Sequence, residues 1–202
     1  MQILLATGNP HKFAEIIALL PRQTYSGEKL IYVSLKDFPN LQVPEENGTT
    51  LEENAAIKAV SAAKQTGLMA LSDDTGLEVD ALNGQPGIHT ARYAGEPANT
   101  QANNQKLLQA LHGLPLAKRT ARFRTVACLS AADGKTQYFK GTLEGYIGLD
   151  YQGKNGFGYD PIFVLHDTHK TLAEISPADK NRISHRAKAF AQVAEYLKQL
   201  TQ

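Results

Sequence analysis

Met69-Ala70-Leu71-Ser72-Asp73-Asp74-Thr75-Gly76 is the stretch on which the reading of this chain turns. A short apolar run stops at two adjacent acids. A hydroxyl residue and a glycine follow, and then a second apolar run, Leu77 to Leu82. The pattern predicts a strand ending in a tight turn that presents carboxylates at its tip, with another strand behind it. Neighbouring carboxylates repel each other and lose solvation when partly buried, so the pair calls for a cation or hydrogen-bond donors nearby. Taken alone, a solvated acidic turn is the simpler reading. Other motifs along the chain shift that balance.

Working outward, the bulk numbers narrow the class. With 202 residues, 42% apolar and 20% charged, the chain reads as an ordinary globular protein with room for one sizeable core or two small lobes. A formal net charge of +1 gives no bulk attraction to nucleic acid or to an anionic membrane, so neither partner is expected and any anion site must be built locally. The one cysteine, Cys128, excludes an intrachain disulfide and a multi-cysteine metal site, reads as core filler, and fits a reducing, cytoplasmic setting. No apolar run approaches the ~20 residues of a membrane span, and Met1 to Leu5 lacks the basic start of a signal peptide.

On the N-terminal side of the acidic stretch, Gln2 to Ala6 predicts a short buried strand, and Phe13 to Leu20 a helix with Phe13, Ile16, Ile17 and Leu20 on one face. Between them lies Thr7-Gly8-Asn9-Pro10-His11-Lys12, with Asn9 as N-cap and Pro10 at the first helical position. Free backbone N–H groups, the helix dipole and the Lys12 charge suit a phosphate there, although the second glycine and Lys-Ser/Thr pair of a Walker A loop are absent. Lys29 to Leu35 predicts a second strand, and Phe38 to Thr50 a loop carrying Glu45 and Glu46, which could offer oxygen to a hard cation. Leu51 to Thr66 predicts an alanine-rich helix stopped by Gly67, with Asn54 and Lys58 read as surface residues.

On the C-terminal side, Gly84 to Gly87 is a turn, and Thr90 to Tyr93 places an arginine beside an aromatic in irregular chain. Thr100 to Leu111 is helical. Thr120 to Ala131 and Thr136 to Leu149 are strands joined by Asp133-Gly134, a strong hairpin signal. In Gly156-Phe157-Gly158-Tyr159-Asp160, glycines allow close approach of backbone to a ligand and the flat aromatics could stack on a base. Taken alone, a turn whose aromatics fold back on the core is the simpler reading. Pro161 to Leu165 predicts a strand. Ser184 is expected to cap the last helix, which puts His185 and Arg186 in its first turn, an unfavourable place for cations unless an anion sits there. Lys180 lies shortly before.

Sorted by chemistry, Lys12, Lys180, Arg186 and a helix N-terminus suit phosphates. Glu45, Glu46, Asp73 and Asp74 suit a divalent cation and a water, and Phe157, Tyr159 and Asp160 suit a heterocycle. These are the parts for Mg²⁺-assisted attack of water on a nucleoside polyphosphate.

Five motifs in order, Ala-Thr-Gly-Asn-x-x-Lys (6 to 12), Ser-Asp-Asp-Thr-Gly-Leu (72 to 77), Pro-Gly-x-x-x-Ala-Arg-Tyr (86 to 93), Gly-Phe-Gly-Tyr-Asp-Pro-x-Phe (156 to 163) and Ile-Ser-His-Arg (183 to 186), resemble the inosine triphosphate pyrophosphatase family. The likeness is greatest to its bacterial dITP/XTP pyrophosphatases and spans nearly the whole chain. It implies a single α/β domain over residues 1–202 with a mixed, elongated central sheet flanked by helices, and two lobes with a nucleotide cleft between them. It also implies hydrolysis of XTP, ITP and dITP to monophosphate and pyrophosphate, which keeps altered purines out of DNA and RNA. Mg²⁺ and a homodimer are part of the implication.

Carried over residue by residue, Thr7, Gly8, Asn9, Pro10, His11 and Lys12 would hold the triphosphate. Asp74 would be general base and metal ligand, joined by Glu45 or Glu46. Thr75 would touch substrate. Phe157, Gly158, Tyr159 and Asp160 would bind the nucleoside, with Phe157 stacking on the base, and Lys180, His185 and Arg186 would bind near base and phosphates. Competing readings are weaker. Asp74-Thr75-Gly76 also matches an aspartic-protease triplet, but that chemistry needs two such aspartates and the chain has one copy. A nucleotide sensor without turnover would not need the acidic pair. A pyrophosphatase for pyrimidines is excluded only by the family match.

Overall fold

The computed structural model describes residues 1–200. Strand β1 (Gln2–Leu5) leads into helix α1 (Pro10–Leu19), and β2 (Ile31–Ser34) returns parallel to β1. Asn9 caps α1 as the sequence predicts, its Oδ1 accepting from the amides of His11 and Lys12 at 2.9 and 3.2 Å. Helix α2 (Leu51–Thr66) has the predicted bounds and stops at Gly67, whose φ of 71° is the left-handed conformation glycine adopts without penalty.

The acidic stretch departs from its prediction. It is not a turn between two strands but the middle of one continuous strand, β3 (Met69–Val79), parallel to β1 and followed by a 3-10 turn at Asp80–Leu82. Period-2 alternation sends Asp73 and Asp74 to opposite faces. Each meets lysine there, so the acids need no turn to bring them into water. Short β4 (Pro86–Gly87) lies antiparallel on β3. Helix α3 (Thr100–Ala110) precedes the β5 (Thr120–Ser130) and β6 (Thr136–Ile147) hairpin, whose turn has Gly134 at φ 87°.

Strand β7 (Phe163–Val164) pairs antiparallel with β6 and is shorter than the predicted run from Pro161 to Leu165. Helix α4 (Pro177–Ile183) was not predicted; seven residues are too few to show a period, though Ser176 caps it through the Asp179 amide. Helix α5 (His185–Gln199) follows at once, with Ser184 closing α4 through its amide on the Lys180 carbonyl at 2.9 Å. The sheet is mixed, in the order β2-β1-β3-β5-β6-β7 with β4 beside β3.

Packing divides the chain into two compact units built from interleaved segments. Among the described residues, unit 1 comprises 1–74, 125–141 and 186–200, and unit 2 comprises 75–124 and 142–185. Strands β3, β5 and β6 each contribute to both. Unit 1 has its own core, in which Ile3, Leu5, Ile16 and Leu71 pack with Phe190, Val193 and Leu197 of α5. Leu77, Leu107, Leu111, Phe123, Ile162 and Phe163 are among the core residues of unit 2. Cys128 is fully buried, and burial pushes its thiol up to about 12, as expected of core filler.

Candidate active site

In unit 1 the functional side chains converge on β3. Asp73 is 2% exposed. Its Oδ2 lies 3.1 Å from Lys12 Nζ and 3.3 Å from Arg186 Nη2, and Arg186 Nη1 reaches Glu15 Oε2 at 2.5 Å. Burial works against the Asp73 charge, but Lys12 and Arg186 outweigh it and hold the carboxyl well below the usual carboxylate range. The anions expected near the first turn of α5 are therefore found within the chain. Arg186 is 2% exposed and paired with Asp73 and Glu15, so it fastens α5 to β3 and α1.

Asp74, on the opposite face of β3, answers to a different cation. Lys58 Nζ lies 3.2 Å from Asp74 Oδ1 and 2.8 Å from Glu46 Oε2. Burial raises the Asp74 pKa, with Lys58 and Lys12 pulling against it. Lys58 is opposed by burial too, yet Asp74 and Glu46 raise its pKa and keep it an ammonium. A carboxylate of raised basicity, anchored by one oxygen, is suited to accept a proton.

The loop that brings Glu46 here is fixed by Asn54 of α2, whose Oδ1 accepts from the Gly48 amide at 2.8 Å. A Cβ on Gly48 would come within 2.7 Å of that oxygen. Glu45, the other candidate ligand, is exposed and makes no ion pair among the described residues.

Sequence reasoning missed Lys58, Asn54 and Glu15. Lys58 continues the buried stripe of Leu51, Ala55 and Ala62 on α2, and a lysine in an apolar stripe was the available signal. Asn54 is buried, not a surface residue. Glu15 carries no signal on its own, because its partner is 171 residues away.

The turn before α1 presents Thr7 to Lys12 as predicted, with one difference. The amides of His11 and Lys12 are already accepted by Asn9, and Thr7 Oγ1 accepts from the Asn9 amide at 3.2 Å. Gly8 stands open, since a Cβ there would meet nothing within 4 Å. Burial lowers the Lys12 pKa, with Asp73 pulling the other way.

Unit 2 gathers the remaining candidates around the loop before β7. Asp160 Oδ2 accepts from the Phe157 amide at 2.7 Å and from Lys180 Nζ at 2.6 Å. Lys180 Nζ in turn lies 4.6 Å from the centre of the Phe157 ring. Gly156, at φ 75°, is required twice, because a Cβ there would also fall 2.1 Å from the Asp160 carboxylate. Asn104 Nδ2 donates to the Gly158 carbonyl at 3.0 Å.

Tyr159 differs from the reading that set it toward a heterocycle. Its ring is buried in the unit 2 core and its hydroxyl donates to the Thr90 carbonyl at 2.9 Å, so it braces the loop. His185 is also buried, stacked on Phe123 with ring centres 4.6 Å apart. Thr75 follows Asp74 along β3 and is half-buried.

A divalent cation was expected at the acids. Among the described residues no group of three His, Cys, Asp or Glu side chains is gathered. Two carboxylates, Glu46 and Asp74, do face one cationic point now held by Lys58. That donor set fits Mg²⁺, which binds through one or two carboxylates and completes its shell with water and substrate phosphates.

The Ham1 family profile matches residues 3–196. The chain is 54% identical to a dITP/XTP pyrophosphatase of Elusimicrobium minutum over 98% of this chain and 100% of that one. It is 45% identical to the dITP/XTP pyrophosphatase of Geobacter sulfurreducens over 97% and 96%. Among solved structures, a HAM1 protein from Coxiella burnetii superposes with a TM-score of 0.88 at 40% identity, covering 99% of this chain and 100% of that one.

Proposed function

The chain belongs to the Ham1 family, and from that premise we propose that it hydrolyses XTP, ITP and dITP to the nucleoside monophosphate and pyrophosphate. The observation that carries the reading is the Asp74–Lys58–Glu46 cluster beside the Lys12 turn in unit 1. Water attacks the α-phosphorus, the bond from that phosphorus to the bridging oxygen breaks, and pyrophosphate leaves with the electron pair. Asp74 takes the proton from the attacking water. Its Oδ1 is held by Lys58, and Oδ2 carries no hydrogen bond among the described residues, so that oxygen serves as the acceptor. Lys12 and the open backbone at Gly8 bind phosphate oxygens, and Asp73 holds the Lys12 ammonium in place. Glu46 and Asp74 would hold Mg²⁺, which when bound neutralises phosphate charge. Lys58 would stay beside Asp74 and donate toward substrate as well.

Unit 2 contributes base recognition. Phe157 offers a ring for stacking, and Lys180 offers a donor matched to the 6-oxo group of hypoxanthine and xanthine. Adenine carries a donor at that position and would leave Lys180 unmatched, a mismatch that can reach ~10⁴ in selectivity, whereas guanine shares the 6-oxo group and is to be told apart at its 2-amino group. A homodimer belongs to the same reading, supported by the family resemblance and checked by sedimentation.

The test is chromatography of products from ITP, XTP, dITP, GTP and ATP, each with and without Mg²⁺. Monophosphate plus pyrophosphate from the first three only, and only with metal, is expected. Diphosphate plus orthophosphate would move the attack to the terminal phosphate and sink the proposal.

A further inference from the structure

Unit 2 carries a second basic group that the proposed reaction does not use. Gln85, Pro86, His89, Arg92, Tyr93 and Lys106 line a cavity of about 340 Å³. His89 precedes the 3-10 turn Thr90–Arg92 and Arg92 ends it, in the arginine–aromatic stretch that the sequence left without a role.

The turn is fixed from several sides. Thr90 Oγ1 accepts from the Leu77 amide at 2.8 Å, and the Thr90 carbonyl accepts from Tyr159 at 2.9 Å. Asn103 of α3 clasps the turn's exit, donating to the Ala91 carbonyl at 2.9 Å and accepting from the Ala94 amide at 2.6 Å. Lys106, three residues further along α3, donates to the Tyr93 carbonyl at 2.6 Å and lies 4.4 Å over the Tyr93 ring.

What the cavity lacks is negative charge. Elsewhere in unit 2 the half-buried arginines Arg122 and Arg124 both pair with Glu78. His89, Arg92 and Lys106 form no ion pair with any described residue. Two full positive charges and an imidazole line one open pocket with no carboxylate among its lining residues, a local basic surface that favours an anion. A guanidinium fork, an ammonium and an imidazole N–H are the donor set for phosphoryl oxygens, with arginine binding two oxygens at once.

We propose that this cavity is a binding site for a compact diphosphate anion, with Arg92 and Lys106 as its charge partners and His89 as a further donor. The assignment rests on these residues and is independent of the proposed reaction.

The experiment is calorimetric titration of sodium diphosphate, in the presence of a chelator, into full-length protein carrying Lys12→Gln, which removes the ammonium of the other phosphate-facing turn. One saturable site is expected. Adding Arg92→Gln and Lys106→Gln together weakens it about tenfold or more, consistent with the loss of two charge-assisted contacts. Arg92→Gln alone, at an exposed side chain that makes no hydrogen bond or ion pair with any described residue, weakens it several-fold with an unchanged melting curve. Absence of a saturable site in the Lys12→Gln protein, or equal affinity with and without Arg92 and Lys106, overturns the proposal. Tighter binding of inosine monophosphate than of diphosphate would overturn the choice of ligand.

Discussion

In unit 1, Asp73, Asp74 and Glu46 meet Lys12, Lys58 and Arg186 in a network of ion pairs strung along one strand. In unit 2, the buried pair Lys180–Asp160 sits against an aromatic ring in a glycine-rich loop. In the proposed reaction, the first arrangement holds the groups that handle protons and phosphates. The second uses its ion pair to fix the position of a flat surface and a donor. The difference matters because buried charges are costly unless paired, so a chain holds such a network only where its partners are complete or are exchanged for a ligand. Unit 1 therefore governs turnover in this account, and unit 2 governs which base is accepted.

The largest effect should come from Asp74→Asn, which removes the base. Loss of general-base catalysis is expected to cut kcat by about 10²–10⁴-fold with a melting curve close to that of the parent. Near-parental turnover in a folded variant would remove Asp74 from the chemistry and erase the contrast between the units.

Asp73→Asn tests the other face of β3. It leaves Lys12 and Arg186 without their shared carboxylate, and breaking a buried pair costs about 3–5 kcal/mol. Chemical denaturation in chelator measures this. The sign with pH follows from the depressed Asp73 pKa. Its contribution is complete above the unfolded value of about 3.9 and disappears as pH falls through the folded value, so the variant should show a shallower acid limb than the parent. Equal stability of the two proteins at neutral pH would contradict the network.

Phe157→Ala carries the comparison to unit 2. Loss of stacking, about 1–3 kcal/mol, should raise KM for dITP with kcat largely kept. A change confined to kcat would place Phe157 with the unit 1 groups instead.

The smallest expected effect is that of Lys58→Met. Removing its charge raises the Asp74 pKa further, so the base stays protonated to higher pH. The acidic limb of kcat/KM moves upward, and turnover at neutral pH drops by about tenfold for each unit by which the shifted limb overtakes the working pH. An unmoved limb would show that Lys58 does not tune the base.

How far the sequence showed this site depends on the range of the interactions. The Asn9 cap, the Pro10 start and the Gly67 stop are local, and the structure places them as predicted. The Asp133-Gly134 hairpin was legible for the same reason. The acidic stretch misled because adjacent acids ordinarily favour turns. Only contacts with Lys12, Lys58 and Arg186, from three separate helices, allow it to run through the sheet as a strand. Arg186 and Tyr159 were legible as unusual, but their partners were not. Glu15 and Asp73 take the first and the Thr90 carbonyl the second, over separations that no local pattern encodes. Lys58 was hidden by its helix, where a lysine among alanines reads as solvent-exposed until the stripe is traced.

The most direct test of the central claim is hydrolysis of ITP in ¹⁸O-labelled water with Mg²⁺, reading the label by mass spectrometry. Attack at the α-phosphorus by water that Asp74 deprotonates puts the label in inosine monophosphate and leaves pyrophosphate unlabelled, and the Asp74→Asn protein forms neither product at a comparable rate. Label in pyrophosphate or orthophosphate would contradict the account, because the water would then be delivered to a different phosphorus.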